Sequence, residues 1–191
     1  MANQSSRNRL LAIARNAIAQ RLGLPFSPVP GTPASDPDLP SHRATFVTLT
    51  VGGKLRGCVG NLDPPGTLEE SIATCAVAAA TADPRFSPLN RDELSQVHIE
   101  ISLLTPPMPV AGPQDVTPGT HGIIVSQGEH RGLLLPQVAA EHGWKAETLL
   151  SQAAVKAGLP ADAWRSGARI DVFTAEVFSE PSSKTPGGEV R

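Results

Sequence analysis

The sequence predicts an α+β fold in which antiparallel sheet hairpins are flanked by helices. Three observations point there. Two pairs of strand-like runs turn on glycine-containing dipeptides, at Gly52-Gly53 and Gln127-Gly128. Three other runs repeat apolar residues at three- and four-residue steps, the period of a helix with one buried face. Strands and helices do not alternate one for one, as a parallel sheet requires.

In chain order, Leu10, Leu11, Ala14, Ala17, Ile18 and Leu22 define a first helix that stops at Gly23. Six prolines between Pro25 and Pro40 forbid both sheet pairing and helix, so this stretch reads as an extended loop. Thr45–Val51 and Lys54–Val59 form the first hairpin. Thr67-Leu-Glu-Glu70 is a capping box that opens a helix with Leu68, Ile72, Ala76, Ala79 and Ala80 on one face. Asp83 to Pro88 is a rigid turn. Val97–Leu104 alternates, with Val97, Ile99, Ile101 and Leu103 on one face and His98, Glu100 and Ser102 on the other. A second proline-rich connection, Thr105 to Thr120, leads to a hairpin with arms 122–126 and 132–135. A short helix begins at Pro136, and a longer one runs from about Ala146 to Ala157, ending at Gly158 with Pro160 beyond. Arg169–Ser179 is a last strand, and residues 181–191 form a loose tail.

Composition narrows the function classes. The chain has 191 residues, 17 glycines, 19 prolines, five Phe, two Trp and no Tyr, so its core is aliphatic. A net charge of −2 gives no basic excess with which to displace counterions from nucleic acid, and few aromatics are left for base stacking. No apolar run is long enough to span a membrane. Two cysteines, Cys58 and Cys75, suit a reducing compartment, so the expected location is cytoplasmic. The first 35 residues lack acidic side chains and carry Arg7, Arg9, Arg15 and Arg21, the composition of a transit peptide. Their helical period favours the first helix of the domain instead.

Chemistry concentrates at Leu55-Arg56-Gly57-Cys58-Val59-Gly60. Glycines within a strand mark a bulge or a close backbone approach. In a regular strand Arg56 shares a face with Cys58, and a cation beside a thiol favours the nucleophilic thiolate. The simpler reading is a cysteine that packs, as Cys75 does in its helix. A triad of Cys58 as nucleophile, His121 as base and Glu100 as orienting carboxylate follows if their strands are neighbours. Asp83, Arg85 and Phe86 could seat an anionic ligand through the guanidinium, or brace their own turn. His98 and Glu100 share a strand face that could contribute to a metal site, but no Cys-x-x-Cys or His-x-x-x-His spacing supports one, and a solvated face is simpler. Trp144 and Trp164 read as core anchors.

The same residues carry a resemblance. Leu-Arg-Gly-Cys-Val-Gly (55–60) resembles the signature of the AMMECR domain family, in which the fifth residue is commonly Ile. Ala-Thr-Ala-Asp-Pro-Arg-Phe-Ser-Pro-Leu (80–89), Asp-Glu-Leu (92–94) and Glu-Ile-Ser-Leu-Leu-Thr-Pro (100–106) follow in the family's order. So do His-Gly (121–122), Leu-Pro-Gln-Val (135–138), Gly-Trp (143–144) and Lys-Ala-Gly-Leu (156–159). The resemblance covers about residues 8–180 and implies one compact α+β unit of two closely joined lobes. It further implies the protein A component of a system shared with a MEMO-like protein and a radical-SAM protein. It brings no cofactor, no metal and no catalytic residue with an assigned role. The expected function is therefore an accessory or binding component. It would meet those partners, a small molecule or a peptide through a pocket near the motif that involves Arg56, Gly57, Gly60, Asp83, Arg85 and Phe86. The alternative is a cysteine-dependent transferase or hydrolase using Cys58 with His121.

Overall fold

A computed structural model describes residues 2–29 and 43–181. Most of the Pro25–Pro40 loop and nearly all of the 181–191 tail lie outside these residues. The chain divides into two units, one running to Leu103 and resuming at Val177, the other Leu104–Glu176. Each has its own four-stranded sheet, so the α+β architecture of antiparallel hairpins and helices holds.

In the first unit, α1 (Gln4–Arg21) begins earlier than the apolar period suggests, because the Asn3 side chain accepts from the Ser6 amide and caps it. β1 (Thr45–Val51) and β2 (Lys54–Asn61) form the expected hairpin, with Gly52 and Gly53 at positive φ in the turn. α2 (Leu68–Thr81) carries the complete capping box between Thr67 and Glu70. With β3 (Val97–Leu104) and β8 (Ala175–Ser179) the sheet order is β2-β1-β3-β8. Val47, Leu49, Ile99 and Ile101 pack with Leu10, Ile18, Ile72 and Ala76 in one core, so both helices lie on one sheet face. Phe46, Thr48, Cys58, His98, Glu100 and Ser102 point to the other.

The second unit contains β4 (Met108–Val110), β5 (Gly122–Gln127), β6 (His130–Leu134) and β7 (Arg169–Phe173), in the order β4-β7-β5-β6. α3 (Pro136–His142) and α4 (Ala146–Lys156) complete it. Ile123, Val125, Leu149, Leu150 and Ile170 form its core, with Trp144 and Trp164 partly buried against them.

Three expectations need correction. The last strand is two strands, β7 and β8, one in each sheet, parted at Thr174. There the Thr174 carbonyl accepts from the Thr105 amide, while the Thr174 amide donates to the Thr105 hydroxyl. The connection expected to be irregular contains β4, three residues at a sheet edge where Pro109 is tolerated. β2 is not regular at Arg56. Leu49 pairs with Gly57 and Thr50 with Leu55, so Arg56 is the extra residue of a bulge.

Candidate functional site

β2 is an edge strand, and Cys58 sits in its middle. Cys58 opposes Thr48, so in an antiparallel ladder of this phase its N–H and C=O point away from β1 toward the free edge. Side chains take the place of a neighbouring strand there. Asp83 Oδ2 accepts from the Cys58 amide at 2.9 Å, and Arg85 Nη2 donates to the Cys58 carbonyl at 3.4 Å.

The Asp83–Phe86 turn makes this possible. α2 ends at Thr81, Pro84 stiffens the chain, and the Phe86 amide donates to the Asp83 carbonyl at 3.1 Å. Asp83 then accepts from the Arg85 amide at 3.1 Å, from Arg85 Nε at 2.9 Å and from Arg85 Nη2 at 2.7 Å. The Arg85 guanidinium, with the Cys58 and Arg85 amides after it, holds the Asp83 carboxyl well below the usual carboxylate range, although burial pulls the other way. Arg85 is raised in turn by Asp83. The two partners differ in exposure: the Asp83 side chain is 3% exposed and that of Arg85 is 55%. Arg85 lies 5.5 Å from the centre of the half-buried Phe86 ring.

A second clamp lies beside the first. Arg56 Nε and Nη2 donate to the two Glu93 oxygens at 3.0 and 3.2 Å, and Nη1 donates to the Ser87 carbonyl at 2.9 Å. Asn90 and Glu93 cap one another's amides, so the 87–93 loop is held at both ends. Arg56, and after it the Asn90 amide, holds the Glu93 carboxyl down. The bulge thus aims Arg56 at this loop.

The motif glycines make close approaches. A Cβ at Gly57 would lie 2.1 Å from the Ala79 carbonyl oxygen of α2, and one at Gly60 would lie 2.3 Å from the Phe46 ring. Each admits a neighbour that no side chain would allow.

Arg56, Gly57, Cys58, Gly60, Asp83, Arg85 and Phe86 therefore gather at one strand edge. The other expected residues stand elsewhere. Thr48 pairs with Cys58 on one side and Glu100 on the other. Glu100 is thus two strands from Cys58 on the same face, about 10 Å across the sheet. His121 belongs to the second unit, where its Nδ1 accepts from the Thr117 amide at 3.1 Å. His98 Nε2 lies 2.7 Å from the Glu180 carbonyl oxygen. No three His, Cys, Asp or Glu among the described residues are grouped to hold a metal. Both cysteines are free, Cys58 half-buried and Cys75 buried. No helix among the described residues is long and apolar enough to cross a membrane.

Two participants went unread in the sequence. Thr48 donates its hydroxyl to Cys58 Sγ at 3.4 Å, and nothing in its strand pattern sets it apart. Glu93 is the partner of Arg56, and the Asn90-x-x-Glu93 spacing, a capping-box pattern, was its available signal.

The geometry defines a two-unit α+β protein with a braced strand edge at its signature motif. The chain belongs to the AMMECR1 family, which matches it over residues 11–178. A Methanosarcina barkeri protein is 43% identical over 176 residues, covering 90% of this chain and 81% of that one. A Methanopyrus kandleri protein is 42% identical over 194 residues, covering 95% and 90%. The crystal structure of PH0010 from Pyrococcus horikoshii is similar in fold, with a TM-score of 0.79 at 36% identity, covering 91% of this chain and 90% of that one.

Proposed function

We propose that this AMMECR1-family protein is an accessory, binding component that works with a MEMO-like protein and a radical-SAM protein in the cytoplasm. Its contact surface is the β2 edge with the Asp83–Phe86 turn. One observation carries the reading: the charged groups beside Cys58 are committed to bracing. Arg56 is engaged by Glu93 and Ser87, and Asp83 by Arg85 and the Cys58 amide. What the edge leaves for a partner is the outer side of Arg85 over Phe86, a cation on a rigid mount suited to a carboxylate or a carbonyl.

The test is to mix the purified chain with each of the two partner proteins and follow co-elution by size-exclusion chromatography. The wild type is expected to co-elute with at least one. Arg85→Ala is expected to weaken that complex by about tenfold or more, the scale of a charge-assisted hydrogen bond. Absence of any complex overturns the reading.

The alternative is a cysteine-dependent transferase or hydrolase using Cys58 and His121. It draws support from the Thr48 hydroxyl donating to a half-buried thiol. It requires Cys58 to be alkylated by iodoacetamide at neutral pH faster than free cysteine, and that advantage to vanish in His121→Ala. The binding reading expects no such advantage, and expects Cys58→Ser to keep the complex.

A further inference from the structure

Two residues beyond Cys58, the same strand edge opens onto a hollow. Residues two apart on an antiparallel strand turn their main-chain groups the same way. Gly60 therefore offers its N–H and C=O to the free edge, as Cys58 does. At Cys58 a carboxylate accepts and a guanidinium donates. At Gly60 no described side chain plays either part. A cavity of about 210 Å³ lies here instead, between Gly60–Asn61, Pro64 and Pro65, and the face of α2 that carries Ser71, Thr74 and Cys75.

Its lining contains no charged residue. It does contain a buried polar atom with nothing to bond: Ser71 is 4% exposed and its Oγ has no hydrogen-bond partner among the described residues. The neighbouring Cys75 thiol is pushed up by burial, which outweighs the lowering by the Ser71 hydroxyl and the Asn61 amide; it stays neutral, turns its S–H to the Thr45 carbonyl, and offers Ser71 only a weak sulfur acceptor. A buried hydroxyl left unpaired is costly, and native proteins seldom leave one so.

We propose that this hollow binds a small uncharged ligand through an amide group. An amide carries an acceptor and a donor in one plane, which is what Asp83 and Arg85 together supply at Cys58. A charged group would be desolvated here with no counter-charge. An amide seated against the Gly60 edge also gives Ser71 Oγ its missing partner. The hollow shares Gly60 with the β2 edge but not Arg85, on which the partner reading turns, so its failure leaves that reading untouched.

The experiment is an amide-resonance NMR titration of the full chain with N-methylacetamide, acetate and methylammonium. N-methylacetamide is expected to move the Gly60 and Ser71 signals saturably, and the two ions are not. Thr74→Leu, an exposed position at the rim, is expected to weaken the amide by about tenfold, because the added side chain occupies the space. Ser71→Ala is expected to weaken it similarly while leaving the melting temperature level or higher, because the fold loses no more than a weak contact with the Cys75 sulfur. The proposal is overturned if N-methylacetamide moves neither signal, if acetate binds as well, or if Thr74→Leu binds the amide unchanged. It is likewise overturned if Ser71→Ala melts lower.

Discussion

Asp83 accepts hydrogen bonds from the turn it belongs to and from the strand beside it, so its charge is part of the fold. Asp83→Asn is expected to cost about 1–3 kcal/mol in urea unfolding, since a buried acceptor is lost and Arg85 is left unpaired. The pH dependence follows from the sign of the shift. The folded carboxyl titrates below its unfolded value of about 3.9, so its contribution is complete above that pH and fades as the solution is made more acid. Melting temperature is therefore expected to fall more steeply from pH 5 to pH 3 in the wild type than in Asp83→Asn. The two arginines at the site were not equally legible. Asp83 and Arg85 sit two apart in a proline turn, so a brace could be read from spacing alone. Arg56 and Glu93 are 37 residues apart, and no local pattern could join them. Their pairing also depends on a bulge that the regular alternation of β2 concealed.

At the scale of elements, one device recurs. Gly57 of β2 lets α2 approach until the Ala79 carbonyl fills the place of a side chain. Gly132 of β6 does the same for α4, where a Cβ would lie 2.2 Å from the Ala153 carbonyl oxygen and 2.6 Å from the Ala157 nitrogen. The obstacle in both cases is helix backbone, which cannot swing aside. Gly57→Ala and Gly132→Ala are each expected to cost about 1–3 kcal/mol in denaturant unfolding. Thr67→Ala is expected to cost about 1 kcal/mol through loss of the α2 cap. Periodicity and capping chemistry made the long elements readable, since these signals are local. β4 was hidden because three residues carry no period. The break at Thr174 was hidden because the apolar pattern runs straight through it; what parts the strand is Thr105, 69 residues away.

At the scale of the molecule, the first unit is discontinuous in sequence. Its sheet is finished by β8, whose first two residues close the second unit and whose last three, from Val177, return to the first. Phe178 enters its core, and the Glu180 side chain accepts from the Ile99 amide at 2.9 Å and from Arg15 Nη2 at 2.6 Å. A chain ending at Glu176 is expected to lose hydrogen-exchange protection across β3 while β5 and β7 keep theirs, as followed by mass spectrometry. Equal protection in both units would contradict this. The family blocks could be recognised in order along the sequence, yet order does not reveal that the first unit waits for the last strand.

The clamp at Cys58 has a consequence for the crowded protein as well as for the lone one. A bare edge strand is a template on which any extended chain can grow a ladder, and charged side chains are one means of blunting it. Asp83 and Arg85 occupy the two main-chain groups that Cys58 turns to the edge, and so withhold them from a stray strand. The same two residues that brace the turn thus also blunt the middle of an exposed strand, where its ladder would otherwise be free to extend.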